Sequence, residues 1–171
     1  MRKYIIIISI CLASLLYPAV MSAQLPITKE AAPPTIIASA SNLGDEVCSI
    51  ISILDETLPL YFLRMNTTNR YDDLMLIPMG DNLDKVVLSI KDLQALFEQK
   101  EGSSFSLPIV GGTASVKVYW DRSRFSMTKK GGQIILVLTA DDYAGHAVIT
   151  KKHLETLLKG INKYKERAAD K

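Results

Sequence analysis

The residues best equipped for chemistry lie in one short run, Asp141-Asp142-Tyr143-Ala144-Gly145-His146. Two carboxylates and an imidazole in one loop can serve as general acid and base, or hold a divalent cation. The competing reading is a polar loop leaving a strand. The only other histidine is His153, seven positions on. That spacing does not make a His-x-x-x-His zinc pattern, and no cysteine pair replaces it. The alternating acids of a calcium loop are also missing. The sequence therefore implies no metal and no cofactor.

No Gly-x-Ser-x-Gly elbow is present for nucleophilic catalysis. Gly111-Gly112-Thr113 and Gly131-Gly132 lack the Lys-Ser/Thr ending of a phosphate loop and read as turns. Lys91 and Lys152 fall near expected helix starts, where a cation can assist anion binding or simply be solvated. Cys48 sits in an apolar run with no His, Lys or Arg beside it, which describes a small buried hydrophobe better than a reactive thiol. The strongest recognition signal is Tyr119-Trp120 with Arg122 and Arg124. These residue types dominate binding hot spots, and an aromatic ring at a strand end can stack on a sugar or a partner ring. Trp120 filling the core under a hairpin is the alternative.

The elements that must position these residues follow from periodicity. Strands are predicted over 47–54, 60–65, 73–79, 105–110, 115–120, 124–128 and 133–139, punctuated by Gly-Gly and charged-Gly pairs. Pro78 places the third of these at a sheet edge. A helix capped by Ser89, with Asp92 completing a capping box, carries Ile90, Leu93, Leu96 and Phe97 on one face. Thr150 caps a second helix with the stripe Leu154, Leu157, Leu158 and Ile161. An offset of 61 residues aligns Leu74–Ile77 with Ile135–Leu138, Val87-Leu88-Ser89 with Val148-Ile149-Thr150, and the two helix stripes. The same offset sets Lys85 against His146. The implied fold is α+β: one antiparallel sheet of about six to seven strands, two helices on one face, and an internal pseudo-twofold.

The chain opens as an export signal. Arg2 and Lys3 precede an apolar run from Tyr4 to Leu16, then Pro18 and the small residues Ser22 and Ala23. Cleavage after Ala23 removes residues 1–23. Residues 24–44, with Pro26, Pro33 and Pro34, read as a flexible linker, and 45–171 as a single α+β domain. Without the leader the chain carries 18 basic and 18 acidic residues, so nucleic acid is not an expected partner. Its charge is nonetheless polarised: residues 24–113 hold 6 basic and 12 acidic residues, and 114–171 hold 12 and 6. Opposite signs can attract within one fold or between copies. The reading that joins these features is an exported bacterial protein, periplasmic or secreted. It acts as a non-enzymatic binding module through Tyr119, Trp120, Arg122 and Arg124 on an unidentified macromolecule or carbohydrate. It has no stable membrane insertion after cleavage. Two alternatives compete: a small hydrolase using Asp141, Asp142 and His146, and a structural subunit self-associating through its oppositely charged halves.

Overall fold

A computed structural model describes residues 33–55, 58–68, 74–121, 132–140 and 145–169. The leader, residues 24–32 of the expected linker and the expected strand 124–128 lie outside the described residues. In chain order the elements are β1 (Thr35–Asn42), β2 (Asp45–Asp55), β3 (Leu58–Asn66), β4 (Leu74–Gly80), α1 (Leu83–Ala95), a 3-10 turn (Leu96–Glu98), β5 (Ser104–Ile109), β6 (Gly112–Asp121), β7 (Gln133–Ala140), β8 (His146–Thr150) and α2 (Lys151–Ala169). The class is α+β, as the sequence implies.

The strands do not form one sheet. They form two antiparallel sheets of four, ordered β1-β2-β3-β4 and β5-β6-β7-β8. The physical reason lies where β4 meets β5. Val110 N–H donates to the Leu76 carbonyl at 2.8 Å. Residues 77–79 and 105–108 line the gap beyond this rung, so the strands run antiparallel there. In an antiparallel ladder the next hydrogen-bonded pair lies two residues along each strand. Those positions are Pro78 and Pro108, and neither has an N–H to donate. The ladder stops after one rung. The sheets part over a cavity of about 380 Å³ lined by Ile77, Leu93, Leu96, Phe105, Leu107 and Val116.

The expected linker also needs correction. Thr35–Asn42 is an ordered edge strand, paired from Thr35↔Ser52 to Asn42↔Asp45. Its small residues Ala38 and Ala40 are buried. They let α2 approach closely: a Cβ placed on Gly160 would lie 2.7 Å from the Ala38 Cβ. The β1–β2 turn has two residues, Leu43 and Gly44, both with positive φ (53° and 98°). That is the sign pattern of a type I′ turn. Glycine adopts it freely, whereas Leu43 adopts it against its Cβ.

One apolar core draws on both sheets and both helices. Ile50, Leu63, Met75 and Ile77 enter from the first sheet, Val116, Leu136, Leu138 and Ile149 from the second. Ile90 and Leu93 of α1 and Leu154, Leu157 and Ile161 of α2 complete it. Each such side chain contributes about 1.5–3 kcal/mol of burial. Cys48 belongs to the same cluster, and burial, with Glu46 nearby, pushes its thiol pKa up to about 12. It is a protonated core residue. The continuous run in β2 has a second consequence. Ile51 and Phe62 face each other on the side of the first sheet opposite Ile50 and Leu63, and both are buried.

The first helix starts earlier than its predicted cap. Asn82 is the N-cap, accepting from the backbone N–H groups of Asp84 and Lys85 at 3.1 and 2.9 Å. Ser89 lies inside α1 and donates to the Met79 carbonyl at 3.3 Å. Lys91 is therefore mid-helix, away from any helix start. Thr150 does cap α2: its hydroxyl accepts from His153 N–H, and its own N–H donates to His153 Nδ1, both at 3.3 Å. This is a capping box closed by histidine instead of Glu or Gln. Consequently the offset of 61 fails in its middle. It sets Val87-Leu88-Ser89, which are helical, against Val148-Ile149-Thr150, which are strand. It likewise sets helical Lys85 against His146 in β8.

The polarised charge is partly used inside the molecule. Lys165 of α2 meets Asp84 of α1 at 2.5 Å, and Lys151 meets Glu98 at 2.9 Å. The Lys151 ammonium holds the Glu98 carboxyl below its usual pKa, and Glu98 raises that of Lys151. Both pairs join the acidic half to the basic half. Both are solvent-exposed, so they orient the helices more than they stabilise the fold.

Candidate functional site

The β6–β7 ladder sets the aromatic pair. Tyr119 pairs with Ile135 and Trp120 with Ile134, so the two rings leave opposite faces of the second sheet. Each is 43% exposed. Trp120 follows Val116 and Val118 in strand alternation but lies beyond the core, at the strand end. Its indole lies on Gly132, where an added Cβ would sit 2.2 Å from Nε1. The backbone there fixes the ring without burying it. Arg122 and Arg124 lie outside the described residues, as do Asp141 and Asp142.

Tyr119 shares its face with a cleft of about 270 Å³, lined by many polar residues but exposing mainly apolar atoms. Register explains the cleft's second-sheet wall. Asp121 pairs with Gln133, Ile135 with Thr150, and Val137 with Val148, which puts Asp121, Gln133, Ile135, Val148 and Thr150 on the Tyr119 side. The opposite wall comes from the first sheet: Asn42 at the β1–β2 turn, Glu46 and Val47 at the start of β2, and Asn66 to Thr68 at the end of β3. Helix α2 adds His153.

A seam between β3 and β8 brings these walls together. Thr68 N–H donates to the His146 carbonyl at 2.9 Å, and His146 N–H donates to the Thr68 hydroxyl at 3.3 Å. The same hydroxyl lies 3.2 Å from His146 Nδ1. Both histidines, seven apart in sequence and silent as a motif, thus line one cleft. Among the described residues, no group of three or more His, Cys, Asp or Glu is arranged to hold a metal ion.

The charges beside the cleft are organised. Arg64 contacts the Glu46 carboxylate, and its Nε donates to the Ser49 hydroxyl at 3.1 Å. Ser49 in turn donates to Glu46 at 3.1 Å. Asn66 Nδ2 donates to the Glu46 backbone carbonyl at 2.6 Å. Thr67 is the exception: its hydroxyl oxygen is buried with no hydrogen-bond partner among the described residues. Such an atom costs about 1–3 kcal/mol until a partner reaches it.

Sequence reasoning singled out Tyr119 and His146 as candidates but not the residues that line the cleft with His146. Asn42, Asn66 and Gln133 carry no local motif, and only register unites them. Among the described residues, no helix is long and apolar enough to cross a membrane. Comparison with protein-family models, curated proteins and solved structures finds no match.

Proposed function

We propose that the chain is an exported bacterial, non-enzymatic binding module that captures a macromolecule or carbohydrate at the Tyr119–Trp120 end of the second sheet. One observation carries the reading: two half-exposed aromatic rings project from opposite faces of one strand end, one fixed on Gly132 and the other on the face that holds the cleft. Rings held by backbone lose little conformational freedom on binding, which favours affinity. Export rests on the leader. The order of four strands then a helix in each half supports reading the halves as repeats, with helix starts Leu83 and Lys151 lying 68 positions apart.

The test is affinity capture from envelope extract with the tagged protein, purified after export. Trp120→Ala and Tyr119→Ala should each cut capture at least tenfold while the melting midpoint stays within a few degrees. Full capture by both variants would refute the reading. The hydrolase alternative has one structural support, the His146 imidazole at the cleft. It requires turnover that His146→Ala abolishes.

A further inference from the structure

We propose that the apolar cavity where the two sheets part binds a small lipophilic primary amine, its hydrocarbon body inside and its ammonium group on the Asp92 carboxylate. The site is separate from the Tyr119–Trp120 end and does not rest on capture there.

The cavity exists because the chain cannot close it. Beyond the Val110–Leu76 rung, Pro78 and Pro108 stop the β4–β5 ladder. A space of about 380 Å³ is left between β4, β5 and α1. Ile77, Leu93 and Val116 at its base are buried, and Phe105 and Leu107 in its wall are half-buried. Pro78, Asp92, Ser106 and Pro108 are exposed, so the cavity opens to solvent at their end. Protein interiors rarely leave voids larger than a water molecule. A dry cavity of roughly 150 Å³ admits benzene, so this one takes two rings or a chain of about eight carbons. It also falls in the range of roughly 300–1,000 Å³ typical of ligand sites, which combine an apolar lining with a few polar groups.

The polar groups select the head of the ligand. Ser89, Asp92, Leu93 and Leu96 fall at helical spacing on α1 and the turn that follows it, forming one stripe along the cavity. Asp92 therefore lies at the mouth, and among the described residues it makes no ion pair. Its own helix offers no cation: the positions three and four away are Leu88, Ser89, Ala95 and Leu96. Lys91, next in sequence, lies on another face of the helix. Ser89 already donates its proton to the Met79 carbonyl at 3.3 Å. Pro78 and Pro108 bring carbonyls and no N–H. Among the described residues lining the cavity there is no lysine, arginine or histidine. The mouth is thus rich in acceptors and carries one uncompensated negative charge. An ammonium group supplies three donors and the opposite charge. A carboxylate or phosphate head meets like charge, and a hydroxyl head brings no charge to pair.

The experiment is isothermal titration calorimetry on the protein purified after export. Octylamine, 1-octanol and octanoate put three heads on one chain, and butylamine is the short control, all below micellar concentrations. Octylamine should bind most tightly, octanol about fivefold more weakly and octanoate more weakly still. Butylamine, too short to reach the buried base, should bind more weakly than octylamine. Asp92→Asn should lower octylamine affinity about fivefold, to that of octanol, and leave octanol binding unchanged. Leu107→Trp, which fills the cavity, should abolish binding of both. Asp92 is exposed, so its variant tests the head group even if Leu107→Trp lowers the melting midpoint. The proposal is overturned if octylamine does not bind, or if octanoate or butylamine binds as well as octylamine. It is equally overturned if Asp92→Asn keeps the preference for the amine, or if folded Leu107→Trp binds it normally.

Discussion

Replacing Gly160 with Ala tests whether β1 belongs to the folded body. Two effects oppose each other. Alanine in a helix interior gains about 1 kcal/mol over glycine. The new Cβ, however, would lie 2.7 Å from the Ala38 Cβ. Carbon atoms prefer roughly 3.5–4.0 Å, so helix and strand must separate by about 1 Å. Overpacking of this kind costs about 1–3 kcal/mol, because the displaced strand carries Ile37 and Ala40 out of their contacts. With a mid-range cost of about 2 kcal/mol the net is a loss of about 1 kcal/mol. Ala38→Gly removes the obstruction. In that background Gly160→Ala should stabilise by about 1 kcal/mol, giving a coupling near 2 kcal/mol. Urea unfolding followed by far-UV circular dichroism, with a common m-value, reads all four corners of the cycle. If Gly160→Ala stabilises equally in both backgrounds, α2 does not rest on β1. Residues 35–42 would then return to the tether that the preceding Pro33-Pro34 and their own small residues suggest.

Leu43 should be improvable, since a leucine held at φ 53° strains against its Cβ. Leu43→Asn should raise stability by about 1 kcal/mol in urea, and an unchanged midpoint would refute the assigned turn. Cys48, with its pKa at about 12 against an ordinary value of 9.0, stays protonated in the folded chain while the unfolded chain ionises. Its contribution is therefore full below pH 9 and declines between pH 9 and 12, by about 1.4 kcal/mol per pH unit. The wild-type curve should steepen relative to Cys48→Ala over that window, and parallel curves would place the thiol in solvent. Replacing Pro78 and Pro108 together by valine restores the missing donors, so the amide at 108 should gain hydrogen-exchange protection. Rapid exchange there would show that something other than proline holds the sheets apart.

Most of the fold was legible because the elements announce themselves locally. The stripes Ile90–Leu93 and Leu154–Leu157–Ile161 have helical spacing, and the Gly111-Gly112 and Leu54-to-Leu60 interruptions mark hairpins. Three features stayed hidden for physical reasons. Strand β1 alternates small residues because α2 lies close to it, and Ala and Ser at those positions imitate a linker. Asn82 and Ser89 are both chemically competent caps, and the choice between them depends on Val86, which is buried only because the helix begins early. The division into two sheets depends on Pro78 and Pro108 both falling two residues beyond the single β4–β5 hydrogen bond, a coincidence that no single proline reveals.

The site was less legible than the fold, for a reason that also bears on how it would fail. Asn42, Asn66 and Gln133 are brought together by two unrelated registers and by the seam at Thr68 and His146, which are 78 residues apart. No local pattern can encode that meeting. Nor does either half contain the cleft by itself, because one wall belongs to each sheet. On the proposed reading, binding is therefore sensitive to the seam as well as to the wall. Loss of the Thr68 hydroxyl removes both its contacts to His146 while leaving the backbone bond from Thr68 N–H in place. On that reading, Thr68 sets the width of the site as well as forming part of its wall, and a weakened seam would be felt as lost capture well before it was felt as lost stability.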